Sequence, residues 1–423
     1  MSSLDLPLQR TQWLSRWMMI AGMRIGMLAC KFMLVIFISR VLDLASLGAF
    51  GLIAGIVAMA PGFVGLGLVH IIMRDAVAMA PAQITDALRH YWCCTVAVYI
   101  VALPISIIVA NALGWPAAWV VLVVVAIAIF EHLGNDTFQL LTNLDRPVFA
   151  AFTAFVRGGF WILIYIPLAI HDPRLRSIEI LLVFWLAGSV SSFAAFAIAS
   201  RTWPWRDAFR QPFQLAWLAS RVRSSLVVYA SDISFIASQY VDRYLVTLFL
   251  GLKFAGVYML YWTAANAMYT VVSMTVLQQQ RPLMIKAHLG GDVSFRRLCV
   301  RLVRITALAT AFFALLVGAA FEVVVPLLHQ PLAAANMIGF WLIVAGLAAK
   351  CTADWGGLAL FAARRDRIMT ATNIAAAVAI ALFQLTLLPV VGLSGAGLAL
   401  IITFGALTCW RLHLVFWGTP DRS

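Results

Sequence analysis

The residues with chemistry to offer are charged side chains set inside long apolar runs. In the run from residue 17 to 38, Arg24 and Lys31 stand seven apart, two turns along one helix face. The run from 224 to 250 carries Asp232, Phe235, Gln239 and Asp242 at spacings of 0, 3, 7 and 10, one helical stripe, with Arg243 adjoining it. Between 116 and 142, Glu131, Asn135 and Gln139 recur every fourth residue, with His132 and Asp136 beside them. Arg157 precedes Gly158-Gly159, a pair that lets another helix approach closely. Lys350 and Asp354 lie one turn apart.

A guanidinium grips phosphate or carboxylate through a planar fork of donors, a lysine supplies a mobile point charge, and both act more strongly where water is excluded. Arg24, Lys31, Arg157, Gln239, Arg243 and Lys350 are therefore candidates to line a cavity for an anionic ligand, such as a pyrophosphate-linked or acidic sugar. Asp232, Asp242, Glu131, Asp136 and Asp354 are candidates to take up a coupling proton or Na⁺. Plainer roles stay open beside these. Arg24 can snorkel to an interface, Asp242 and Arg243 can form an interfacial salt bridge, and Lys350 and Asp354 a structural ion pair. No Asp-x-Asp pair or zinc spacing is present, so neither a catalytic centre nor a metal or cofactor is expected.

The elements that hold these groups must be membrane helices. Of the 423 residues 63% are hydrophobic and 11% charged, against about 25% charged in soluble domains. Mean hydropathy is +0.96. A span takes about 20 apolar residues. The breaks between runs give twelve: 17–38, 46–72, 91–113, 116–142, 148–170, 178–200, 224–250, 255–284, 300–328, 333–362, 368–388 and 392–416. Five cations facing lipid at mid-bilayer would cost roughly 12 to 17 kcal/mol, so they cannot all face lipid. The formal charge of +13 sits mostly in short loops, where it sets topology and meets anionic lipid, and no nucleic-acid partner is expected. With the N-terminus inside, 21 of the 30 Lys and Arg, Arg411 among them, fall on the cytoplasmic side and four outside. Both termini are therefore expected in the cytoplasm. The six cysteines lie in or at the ends of apolar runs and read as unpaired thiols.

The basic connection at 201–223 divides the chain into a first lobe at 1–200 and a second at 224–423, six spans each. At an offset of 208, Leu42 to Leu52 lies over Leu250 to Leu260 with four identities, Arg24 over Asp232 and Lys31 over Gln239. Asp145-Arg146 before the fifth span matches Asp366-Arg367 before the eleventh. The expected fold is all-α and polytopic, two pseudo-symmetric six-helix lobes related as parallel repeats, with a cleft between them.

Ser39-Arg40-Val41-Leu42 followed by Leu47-Gly48-Ala49-Phe50-Gly51-Leu52 resembles the polysaccharide-transporter (Wzx-type) flippases of the multidrug/oligosaccharidyl-lipid/polysaccharide (MOP) superfamily. So do Asp242-Arg243-Tyr244-Leu245, Gly256-Val257-Tyr258, Arg281-Pro282 and Gly392-Leu393-Ser394-Gly395-Ala396-Gly397. The resemblance covers nearly the whole chain on short motifs. It implies a MATE-like fold of twelve helices in the cell inner membrane, a flippase rather than an enzyme. Such a protein carries undecaprenyl-pyrophosphate-linked oligosaccharide units across the bilayer by alternating access, for exopolysaccharide, capsule or O-antigen synthesis. Its implied partners are the lipid-linked glycan, membrane lipids and the polysaccharide polymerase and export proteins. The related lipid II flippases use cations in the first helix, where Arg24 and Lys31 stand, but typically carry two further C-terminal helices. A MATE-like drug or cation antiporter is the alternative, and a polymerase or ligase would need a larger outer loop than 171–177.

Overall fold

The computed structural model describes residues 5–112, 118–289 and 292–417, and every regular element among them is helical. Lipid offers no partners to backbone N–H and C=O groups, so a chain this apolar must satisfy them within its own helices.

In the first half, α1 (Asp5–Phe37) widens into a π-helical turn at Ile38–Leu42. Asp43 ends it and caps α2 (Leu44–Val64), its Oδ1 accepting from the Ser46 backbone N at 2.6 Å. The sequence predicts one continuous span over 46–72, whereas α2 stops at Val64 and a short α3 (Leu68–Asp75) follows. Leu66 and Gly67 turn the chain through left-handed backbone, φ 51° and 68°, beyond the helix-disrupting Pro61. Then come α4 (Pro81–Ala112), α5 (Ala118–Asn143), α6 (Pro147–Phe155), a π-helical turn at Val156–Phe160, α7 (Trp161–His171) and α8 (Ile178–Ala199). A six-residue α9 (Trp205–Arg210) lies in the connection. The second half runs through α10 (Leu215–Leu250), α11 (Leu252–Val272), a π-helical turn at Ser273–Leu277, α12 (Gln278–Leu289), α13 (Asp292–Leu327), α14 (Pro331–Ala335), α15 (Met337–Ala362), α16 (Asp366–Val391) and α17 (Leu393–Phe416).

Among the described residues, ten helices are long and apolar enough to cross a membrane, with α6 and α7 forming one of them. The two long runs that miss this threshold are α10 and α11 to α12, which correspond to the seventh and eighth expected spans. In α10 the polar stripe of Asp232, Gln239, Asp242 and Arg243 lowers the hydropathy. With them the architecture is a twelve-helix, multi-pass membrane protein.

The repeat is visible in the helix limits. The turn after α1 ends at Leu42 and α10 at Leu250, and α2 begins at Leu44 and α11 at Leu252, so the offset of 208 holds in space. Farther along, α5 and α15 match at both ends with an offset of 219. Both close alike. Asp145 (φ 57°) and Arg364 (φ 59°) take left-handed backbone, while Arg146 N bonds Leu141 O at 2.8 Å and Arg365 N bonds Leu360 O at 2.9 Å. The equivalence is thus Asp145 with Arg364, two residues away from the sequence match of Asp145-Arg146 to Asp366-Arg367. The hydrogen-bonded turn fixes the register, and the dipeptide match does not.

The chain forms two compact units, Met1–Leu34 with Ile53–Ile233 and Val35–Leu52 with Ser234–Ser423. The division runs through α1, α2 and α10. In the first unit, a core of Met73, Leu88, Leu140 and Phe196 is bordered by Trp92, Trp203 and Trp205. In the second, small residues bring backbones together. A Cβ on Gly346 would overlap the side chain of Leu400, and one on Gly397 that of Leu342, which closes α15 on α17. There too, a Cβ on Gly48 would overlap the Leu252 carbonyl oxygen, and one on Gly256 the Leu44 carbonyl oxygen. The two contacts exchange under the 208-residue offset, so the matched motifs of the two repeats touch reciprocally.

Candidate functional site

In the first unit the polar residues of α1, α5, α8 and the π-helical turn converge. Arg157 sits on that turn, which widens the helix enough to aim its side chain at α5. Its Nε lies 3.3 Å from Glu131 Oε2. Nη1 donates to the Glu131 carbonyl at 2.8 Å and Nη2 to Asn135 Oδ1 at 2.7 Å. Gly134 makes room: a Cβ there would come within 2.8 Å of Arg157 Cδ. Trp185 Nε1 and Ser189 Oγ of α8 both donate to Glu131 Oε1 at 2.9 Å. Glu131 and Arg157 are thus locked to each other and to three helices, and Arg157, expected among ligand-binding residues, is largely spent on protein acceptors.

Lys31 and Arg24 stand differently. The ε-carbon of Lys31 lies beside Gly158, and its ammonium is within electrostatic reach of Glu131 and Arg157, yet the side chain remains accessible. Two turns away, the Arg24 guanidinium sits 5.9 Å from the ring of Phe138, one turn beyond Asn135 on α5. Neither forms an ion pair among the described residues. The surplus on this stripe is therefore two cations.

Behind it, α4 and α5 enclose a second cluster. Asp136 is 2% exposed and takes hydrogen bonds from Trp92 Nε1 at 3.2 Å and Tyr91 Oη at 3.4 Å. The two nitrogens of His132 meet Tyr91 Oη at 2.9 Å and Tyr99 Oη at 3.2 Å. Asp136 and His132 were legible in sequence, but the aromatic partners were not, although Tyr91, Thr95 and Tyr99 repeat every fourth residue.

Asp232 pairs with His70 of α3, at 2.9 Å. The same face of α10 clasps the break after α2, since Ser225 Oγ donates to Leu66 O at 2.7 Å and Tyr229 Oη to Phe63 O at 3.0 Å. His70 lies outside the ten spans, and its hydrogen bond to Asp232 raises its pKa above the usual 6.5.

In the second unit Asp242 is wholly buried and accepts from Tyr258 Oη and from the Arg243 backbone N, the latter at 2.8 Å. Arg243, 7% exposed, packs its guanidinium over the rings of Tyr240 and Trp262, at 4.7 and 5.7 Å. Arg243 Nε also lies 3.9 Å from Asp242 Oδ1, so the two form the salt bridge that the sequence left open, here within the helix packing. Lys350 Nζ lies 2.7 Å from Asp354 Oδ2, and Tyr269 Oη donates to the same oxygen at 2.8 Å. Gln239 is half-buried on α10 and joins none of these clusters through a described contact.

Arg411, expected on the cytoplasmic side, is 2% exposed near the end of α17, donating to Ala353 O at 2.9 Å, Thr372 Oγ1 at 2.9 and 3.1 Å and Asn373 Oδ1 at 2.6 Å. Gly356 and Gly357 leave the groove it fills, a signal that hydropathy alone does not read.

Aligned by the observed offsets, the repeats carry inverted charge. Glu131 and Asn135 correspond to Lys350 and Asp354 under 219, as Arg24 corresponds to Asp232 under 208.

No family model and no curated protein sequence matches the chain. Solved structures do. An inward-facing multidrug resistance MATE family transporter of the MOP superfamily superposes with a TM-score of 0.74 at 15% identity, over 94% of this chain and 96% of that one. The lipid II flippase MurJ in an inward closed conformation gives 0.72 at 11% identity, over 94% and 87%. An outward-facing MATE transporter gives 0.61 at 15% identity, over 95% and 94%. The fold is that of the MATE transporters and MurJ. Its MATE-type frame places α1, α5 and the Arg157 turn together in the first unit and the Lys350 and Asp242 clusters in the second.

Proposed function

We propose that this MATE-type protein is a flippase that carries an anionic, lipid-linked glycan, of the undecaprenyl-pyrophosphate-linked repeat-unit type, from the cytoplasmic to the periplasmic leaflet of the inner membrane. The observation that carries the reading is Arg24 and Lys31, two cations on one stripe of α1 without an ion-pair partner among the described residues. A cation held within a membrane span without a carboxylate is costly unless a ligand supplies the anion. Pyrophosphate does so, and its prenyl tail stays in lipid. Transport proceeds by alternating access, both termini lie in the cytoplasm, and polymer synthesis and export proteins receive the product. Asp136, held by Tyr91 and Trp92 with the His132 imidazole 3.8 Å away, is the residue assigned to a coupling proton or Na⁺. The same buried acid favours the second reading, a cation-coupled drug antiporter, for which the anionic side chains would be the ligand contacts.

The test is complementation. In a strain lacking this protein, Arg24→Ala and Lys31→Ala chains expressed at normal level should fail to restore polymer export, and labelled lipid-linked oligosaccharide should accumulate on the cytoplasmic face. Full restoration by both variants refutes the cationic stripe. Unchanged leaflet distribution with altered drug sensitivity selects the antiporter.

A further inference from the structure

The connection between α8 and α10 is fixed on one side and bare on the other. Arg89 of α4 donates to Gln211 O at 2.6 Å and Pro212 O at 3.2 Å, and the Gln214 backbone N donates to His90 Nε2 at 2.9 Å. Trp205 stacks on Trp92 with ring centroids 6.0 Å apart and donates from Nε1 to Ser200 O at 3.0 Å, while Ala208 is buried. These contacts hold α9 against the first unit by its Trp205 and Ala208 side. Beside that anchored face Phe209 is 62% exposed, and Arg206 and Arg210 occupy the outward side. Exposed Leu215 follows, and Arg201 precedes α9, three residues after the exposed Ile198 of α8.

A phenylalanine displayed to water by a rigid support gains nothing there, and three arginines beside it are offset by one acid, Asp207. The segment begins where the candidate span Ile178–Ala199 stops, next to the exposed Ile198. We propose that α9 and its flanks are a docking surface for anionic phospholipid of the adjacent leaflet. Phe209 and Leu215 enter the headgroup boundary, and Arg201, Arg206 and Arg210 bind lipid phosphates. The inference stands apart from the identity of the transported substrate.

The full chain is placed in nanodiscs of phosphatidylcholine alone or with phosphatidylglycerol, carrying an environment-sensitive fluorescent amino acid at position 209. With phosphatidylglycerol, shallowly brominated lipid should quench it and aqueous iodide should not. A basic residue near an anionic surface strengthens association about fivefold. Joint Arg201→Gln, Arg206→Gln and Arg210→Gln exchange should therefore reduce the preference for phosphatidylglycerol about a hundredfold, with Tm unchanged because the anchoring contacts are untouched. Equal iodide quenching in both discs overturns the proposal and points to an acidic protein partner. Equal lipid quenching in both discs, unaffected by the triple exchange, overturns the anionic-headgroup recognition.

Discussion

Whether Arg157 serves the fold or the ligand is decided by Arg157→Met. Methionine keeps the stem volume and removes the ion pair with Glu131 at 3.3 Å and the two bonds of 2.8 and 2.7 Å to Glu131 O and Asn135 Oδ1. The side chains are 11% and 16% exposed, so solvent screens the pair little. Breaking such a pair from one side costs about 3–5 kcal/mol, because the other charge stays behind. Glu131 keeps Trp185 and Ser189 as donors, which places the expected loss toward the lower end. At about 2 °C per kcal/mol for a unit of this size, Tm should fall by about 6–10 °C in nanodiscs. Glu131→Gln combined with Arg157→Met should recover most of that, since no charge is then stranded. Lys31→Met, which breaks no ion pair, should shift Tm by less than about 2 °C while abolishing export. If Arg157→Met leaves Tm unchanged and abolishes export, the guanidinium serves ligand and the structural assignment fails.

Two further outcomes follow from packing and charge. Gly256→Ala and Gly48→Ala each drive a methyl into a carbonyl of the facing helix and should cost about 1–3 kcal/mol by thermal unfolding, whereas Gly22→Ala, with open space around it, should be neutral or slightly stabilising. His70, raised by Asp232, contributes stability that is complete below about pH 6.5 and fades as pH rises through its folded-state pKa. The Tm difference between the native chain and Asp232→Asn should therefore shrink between pH 6 and pH 9, and a constant difference would show that the pair does not titrate there.

The fold was legible because lipid imposes a simple rule on sequence, namely about twenty apolar residues per span. That rule found the helices through Arg24, Arg157 and Lys350 despite their charges. It failed where local backbone chemistry outweighs hydropathy, as at Gly65 to Gly67, which split the expected span at 46–72. Spacing also identified the stripes of α1, α5 and α10 but could not pair them. Arg157 with Glu131 and Asp232 with His70 are long-range contacts that no periodicity encodes. Arg411 shows the limit plainly: its place near the end of an apolar run gives no partner, and only the glycine-lined groove of α15 shows that its side chain packs inward.

The inverted charges of the repeat bear on substrate sign. A duplicated scaffold offers matched polar positions on its first and fourth helices of each half, and this chain fills them oppositely, Arg24 and Glu131 against Asp232 and Lys350. Were the charges only structural, each would be expected to find a partner. Glu131 has Arg157, Asp232 has His70, Lys350 has Asp354, and Asp242 has Tyr258 and the Arg243 backbone. Arg24 and Lys31 break the pattern, and they do so together on one face. Asp136, by contrast, is enclosed by Tyr91 and Trp92 at 2% exposure. On these stripes the charges without an ion-pair partner among the described residues are both positive, and that sign is what the proposal of an anionic cargo rests on.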